Sequence, residues 1–277
     1  MSVRPGELVI SDSNYNQVLE PVIDGEKRMR GLVPRDWNKH PFGSLRGVPG
    51  FDPNEIKIIP RNEWQSRIKD KEQAKSQLSD FRLTGNKGQA VPSLDQNGSN
   101  YCWAHSSVQC VTVNRIVANE PYVPLSAYSV ACKIKNYANE GGWGALSLDF
   151  IREKGVAPQS KWPQGSFQQS NDNEQTWQEA AKYKSTESWI DLDTRVYDRN
   201  LTFDQVATLL LLNIPVVLDY NWWSHSVLGL DLVYTNDYGI RIWNSWGDKW
   251  SDRGMGILEA KKSIPDGAVA SRVMKAG

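Results

Sequence analysis

The sequence predicts an α+β fold of two lobes, on three observations. Helix-patterned stretches gather in the first half of the chain, and the most strand-like stretches lie in the last third. Within the first half a cysteine, Cys102, opens a helix directly after a loop rich in Pro, Gly, Asn and Asp. The helices and the cysteine are expected in one lobe and an antiparallel β layer in the other.

Length and composition bound the reading. At 277 residues the chain can bury a real core as one large domain or two small ones. Its 32 basic residues balance 32 acidic ones with no long single-sign run, so nothing recommends a nucleic-acid or anionic-membrane partner. The opening MSVRPGELVISDSNYNQ lacks the basic, apolar and small-residue blocks of a secretory signal, and no run approaches the ~20 apolar residues of a membrane span. A cytoplasmic protein of microbial or viral origin is the expectation. With Cys102 assigned to chemistry, Cys110 and Cys132 leave at most one disulfide, which fits a reducing compartment, and both read as core thiols. The 12 Trp suit a well-walled cleft, although core packing explains them equally well.

Residues 1–85 read as an irregular arm that packs on the body formed by residues 86–277. Pro and Gly interrupt it repeatedly between Pro21 and Pro60, leaving room for only one helix, from about residue 62 to 80. Its Trp37, Phe42, Phe51 and Trp64 argue against disorder. The body opens with the helix at Cys102, whose apolar residues recur at Trp103, Ala104, Val108, Val111 and Ile116. PLSAYSVACKI suggests a second helix with Pro124 near its first turn, and ALSLDFIREKG a third, stopped by Gly155. NEQTWQEAAKYK is a modest helix, TESWIDL a strand, and FDQVATLLLLN a helix feeding the buried strand IPVVLDY. HSVLGLDLVY, YGIRIWNSWG and MGILEAK complete the strands, the first two expected to pair as a hairpin across Thr235, Asn236 and Asp237.

A thiol at a helix start meets unpaired N–H groups and the positive end of the helix dipole, both of which favour the thiolate. Such a nucleophile needs a base and a third group that holds the base in one tautomer. Of three histidines, His40 lies in the arm and His105 on the nucleophile's own helix, whereas His225 opens a strand and is the best base. Asn244 can orient it if the two strands pair, with Trp246 covering their bond from water. Gln96, in the loop before the helix, can join the Cys102 N–H as donor to an oxyanion.

Together Gln96, Cys102-Trp103-Ala104, Gly141-Gly142, His225 and Asn244-Ser245-Trp246-Gly247 resemble the papain-like cysteine peptidases, in order and context, over roughly residues 87–260. His225 lies 123 residues after Cys102 (225 − 102) and Asn244 142 residues after it (244 − 102), against a family spacing of about 130 to 150. The short His interval implies a trimmed loop between the VVL strand and His225. The resemblance implies a papain-like two-lobed fold and a thiolate–imidazolium endopeptidase that needs no metal or organic cofactor. It further implies substrate contacts at Gly141, Gly142, Trp143, Tyr101, Ser224 and Trp246. The family's Cys three residues before the nucleophile is Ser99 here, and Tyr101 replaces a small residue, which implies a narrowed cleft. A polypeptide substrate is the expected partner. Two other uses of the same residues stay open: acyl transfer to an amine, or an assembly role, for example in a virus particle, through residues 1–85.

Overall fold

The computed structural model describes residues 3–41, 51, 52, 54–184, 189–195 and 198–271. Part of the arm's Pro/Gly stretch, residues 42–50 and Pro53, and the first residues of TESWIDL, 186–188, lie outside them. In chain order the elements are β1 (Leu8–Ile10), β2 (Val22–Ile23), β3 (Glu26–Lys27), α1 (Arg61–Ala74), α2 (Leu78–Thr84) and α3 (Cys102–Val117). There follow α4 (Ala127–Ile134), α5 (Gly144–Lys154), α6 (Glu174–Ala180), β4 (Trp189–Leu192) and α7 (Arg199–Leu211). The chain closes with β5 (Val216–Tyr220), β6 (His225–Tyr234), β7 (Tyr238–Trp243), β8 (Met255–Glu259) and β9 (Gly267–Ser271).

A seven-stranded sheet in the order β1-β8-β7-β6-β5-β9-β4 carries the fold. Its pairings are antiparallel except β1 on β8, which is parallel. The strand β6 reads as a near-continuous apolar run because helices cover both of its faces. On one side Leu228 and Leu230 join Trp103, Val108 and Val111 of α3 and Leu148 of α5. On the other, Val227 and Leu232 meet Trp64 of α1 and Val206 and Leu210 of α7. Leu230 and Leu232 would share a face in a regular strand, but a bulge between Gly229 and Asp231 reverses the alternation. Each fully buried side chain of this kind contributes about 1.5–3 kcal/mol.

Residues 3–85 are more regular than Pro and Gly suggested. They supply the edge strand β1 and two helices where one was expected, the break falling at Lys75, which is left-handed (φ 52°), and at a capping box between Gln77 and Asp80. Beside β1, Glu7 accepts from Arg241 Nε at 2.6 Å and from its Nη2 at 3.0 Å, while Nη1 reaches Asp231 at 3.2 Å. All three residues are buried. This network fastens the start of the arm to the centre of the sheet. Pro124 lies ahead of α4, which starts after Ser126. The three cysteines are buried free thiols. Among the described residues no helix is long and apolar enough to cross a membrane.

Candidate active site

Helix α3 is buried on every side; apart from Asn114 and Val117 all of its residues are buried. Small polar side chains let neighbours approach it closely. Ser106 Oγ lies 2.8 Å from Ser226 Oγ on β6, and Ser107 Oγ 2.5 Å from Ser147 Oγ on α5. The first turn of the helix is thereby clamped between the helical half and the sheet, with Cys102 at its N-terminal end. The Ser226 N–H hydrogen-bonds the Cys102 sulfur, so the neighbouring His225 shares the same cleft.

His225 opens β6 directly after a four-residue turn, Tyr220 and His225 being paired across it. Ser224 takes a left-handed conformation (φ 52°) to close that turn. The trimmed loop implied by the short Cys–His interval is this turn. Strands β6 and β7 form the expected hairpin, which sets His225 Nε2 2.7 Å from Asn244 Oδ1. The Ser245 N–H also donates to that Oδ1, at 2.8 Å, which identifies the atom as an acceptor. Nε2 therefore carries the proton, and Nδ1, which has no hydrogen-bond partner, presents a lone pair. Trp246 stacks on the imidazole (centroids 4.7 Å apart, planes at 29°), and Trp223 closes its other side at 4.8 Å.

Gln96 is held in one orientation. Its backbone N–H donates to Ser245 O at 2.9 Å, and its Oε1 accepts from Ser245 Oγ at 2.6 Å. The amide nitrogen thus faces the cleft, where it donates to Ser99 O and to Met29 O, each at 2.9 Å.

Met29 belongs to the arm, and the arm runs through the cleft. Gly31 N–H donates to Cys102 Sγ at 3.2 Å. Gly142 brackets the next residue, its N–H reaching Gly31 O and its carbonyl accepting from Val33 N, each at 2.9 Å. Leu32 N–H donates to Ser224 O at 3.1 Å, and Arg30 Nη1 to Trp223 O at 3.1 Å. Both glycines are needed for this approach. A Cβ on Gly31 would overlap the Asn100 carbonyl, and one on Gly142 would stand 2.6 Å from the Trp103 ring.

Burial biases the charge state of Cys102 and His225. Burial raises the Cys102 thiol to about 12, against the lowering effect of the Ser226, Gly31 and Trp103 N–H groups. Burial also lowers the His225 imidazole to about 3; Asn244 opposes this, while Arg30 and His105 add to it. Burial thus favours the neutral form of both groups, against the thiolate–imidazolium pair expected from the sequence.

Of the other expected contacts, Gly141, Gly142, Trp143 and Ser224 border the arm or its cleft, and Trp246 lies over the imidazole. Tyr101 does not. Its ring is fully buried against Trp103, Tyr128 and Phe167, and its hydroxyl donates to Ala138 O at 2.7 Å, so it leaves the cleft unnarrowed. His105 is buried, with Nδ1 2.7 Å from Tyr101 O and Nε2 2.6 Å from Gln164 Nε2, and His40 packs on Trp143 at 5.0 Å. Sequence reasoning missed Ser226, whose role is carried by its backbone N–H, and the course of residues 28–33, which also works through main-chain atoms.

No family model matches the sequence. Zingipain-1 of Zingiber officinale is 31% identical over 70 residues, 25% of this chain and 32% of that protein. The structure is similar to the crystal structure of xylellain, a cysteine protease from Xylella fastidiosa. There the TM-score is 0.60 and the identity 16%, over 92% of this chain and 100% of that one. Digestive procathepsin L2 from the larval midgut of Tenebrio molitor gives a TM-score of 0.60 at 16% identity, covering 95% of this chain and 80% of its own. With Cys102 opening a helix of the helical part and the His225–Asn244 pair on the sheet, the chain has the papain-like cysteine-protease fold.

Proposed function

We propose that the protein is a cysteine endopeptidase whose cleft is closed by its own residues 28–33. One observation carries the reading: the cleft grips the main chain of an extended polypeptide through the backbone of Gly142 and Ser224 and the side-chain amide of Gln96. The segment continues past both ends of the cleft, at Arg28 and at Pro34, as the middle of a long substrate would.

In this reading the bound segment acts as an inhibitor rather than a substrate. A cleavable bond would set a carbonyl carbon on Cys102 and its oxygen on Gln96. Here the sulfur meets the N–H of Gly31, while the carbonyl on Gln96 belongs to Met29. Once the segment lifts, water reaches the thiol and imidazole, and a proton passes from Sγ to Nδ1. The thiolate attacks the substrate carbonyl carbon, and Gln96 Nε2 with the Cys102 N–H receives the oxyanion. Imidazolium Nδ1–H then protonates the leaving amine as the C–N bond breaks. Water, giving its proton to Nδ1, hydrolyses the thioester and restores the thiol.

Quenched fluorescent peptides incubated with a Gly31→Val protein test this. Cleavage at internal bonds, abolished by adding Cys102→Ala and yielding acids rather than amides when an amine is present, is the expected result. Failure to cut any peptide of a diverse library would overturn it.

A further inference from the structure

His105 takes no part in the proton transfers, yet it is wholly buried three residues after Cys102 and both of its ring nitrogens are engaged. Its partners fix the tautomer. Gln164 Oε1 accepts the Ala127 N–H at 3.2 Å, so the Gln164 amide nitrogen is the atom that faces His105 Nε2, at 2.6 Å. An amide nitrogen can only donate, so Nε2 offers a lone pair and the proton sits on Nδ1. That proton points at the Tyr101 carbonyl oxygen, 2.7 Å away. An imidazolium would set two donors against each other at Gln164. Burial also favours the neutral ring, lowering it to about 4 against the opposing bond to Tyr101.

The carbonyl it holds belongs to the peptide that leads into Cys102. That oxygen already accepts the N–H groups of Ala104 and His105, each at 3.0 Å, so Nδ1–H is a third donor that the carbonyl does not need for its own satisfaction. A trans peptide is planar, and its C=O and N–H point in opposite directions. Holding the Tyr101 oxygen therefore aims the Cys102 N–H. Hydrogen bonds on the oxygen also polarise the unit and strengthen its N–H as a donor. The imidazole stands edge-on to the Tyr128 ring, centroids 5.9 Å apart, and the Tyr128 hydroxyl donates to the Gln96 carbonyl at 3.3 Å. One buried layer thus backs both residues that face the oxyanion.

We propose that His105 is a positioning residue of the oxyanion hole: its Nδ1–H, kept on the Tyr101 carbonyl by Gln164, aims and strengthens the Cys102 N–H for the negative oxygen of the transition state. The proposal rests on the peptidase reading, in which that N–H and Gln96 Nε2 receive the oxyanion. A ground-state carbonyl asks less of a donor than an oxyanion does. The effect therefore falls on the chemical step rather than on substrate binding.

Two variants in the Gly31→Val background test it. His105→Phe keeps a ring without an N–H, and His105→Asn puts an amide nitrogen near the place of Nδ1. His105→Phe is expected to lower kcat about 10- to 100-fold with KM within about 3-fold, and His105→Asn to recover most of the loss. Two thiol probes separate positioning from general damage. A peptidyl aldehyde adds to the sulfur as a hemithioacetal whose oxygen occupies the hole, whereas dipyridyl disulfide exchanges with the same thiolate and has no oxygen to place. Aldehyde affinity should fall about 10-fold or more in His105→Phe while the disulfide rate, corrected with Cys102→Ala, stays within about 2-fold. Equal losses with both probes, or no loss with the aldehyde, would overturn the assignment. If the Gly31→Val protein binds the aldehyde yet cuts no peptide, the peptidase reading alone fails and the aldehyde comparison still decides for His105. No aldehyde binding by that protein would sink both. Should His105→Phe not fold, long-range nitrogen–proton NMR spectra of the unmutated protein decide: the His105 proton is expected on Nδ1, and a proton on Nε2 refutes the proposal.

Discussion

Replacing Gly31 with Val should open the cleft without altering any group that does chemistry. The new Cβ would overlap the Asn100 carbonyl, so the backbone at residue 31 must move away. Three bonds depend directly on its position: Gly31 N–H to Cys102 Sγ, Gly142 N–H to Gly31 O, and Gln96 Nε2 to Met29 O. At about 1 kcal/mol net for each, the closed state loses about 3 kcal/mol, which multiplies the open-to-closed ratio by about 100. A peptidyl electrophile that reacts only with open protein should therefore modify Gly31→Val about 100-fold faster than the unmutated chain, up to the limit where most molecules are open. Intact-mass spectrometry at a series of times gives both rates, with Cys102→Ala as the unreactive control. A variant that melts cooperatively yet labels no faster would refute the claim that residues 28–33 close the site.

Acid should favour opening. The closed form holds His225 near 3, so on falling from pH 7 toward 4 an imidazole returned to its ordinary range takes up a proton that the closed form refuses, and labelling of the unmutated chain relative to Gly31→Val should rise. A pH-independent ratio would exclude this coupling. In the Gly31→Val background, Asn244→Ala frees the ring now held at 2.7 Å and should lower kcat about 10- to 100-fold with KM little changed; steady-state kinetics check this split. Arg241→Met leaves buried Glu7 and Asp231 without their shared cation and should cost about 3–5 kcal/mol, read as a urea midpoint about 1 M or more lower at unchanged slope.

Much of this arrangement is legible in the residues. The hairpin of β6 and β7 follows from apolar strand-forming runs broken at Thr235, Asn236 and Asp237, and it alone sets His225 against Asn244. Trp246 over the imidazole follows from the same register. Where contacts run through the backbone, the side-chain pattern carries no trace. A three-residue strand such as β1 exists because β8 offers it an edge, and the passage of Gly31 over Cys102 uses an N–H that any residue but Pro possesses. Tyr101 misled for a related reason: it stands next to Cys102 in sequence, but buried aromatic neighbours take its ring and Ala138 takes its hydroxyl.

The pairing of β1 with β8, secured by Glu7 and Arg241, makes the closing segment a tethered ligand rather than a dissociable one. On the far side it is anchored again where Arg35 holds Asp191. Short tethers hold such a ligand at an effective concentration in the millimolar range. Dilution or dialysis should not activate the protein, and an added peptide copying residues 28–33 should compete poorly with the built-in one. Scission of the chain after Arg35 would not discard the N-terminal piece either. It would stay as a noncovalent strand of the sheet, two bands on a denaturing gel and a single particle in native mass spectrometry.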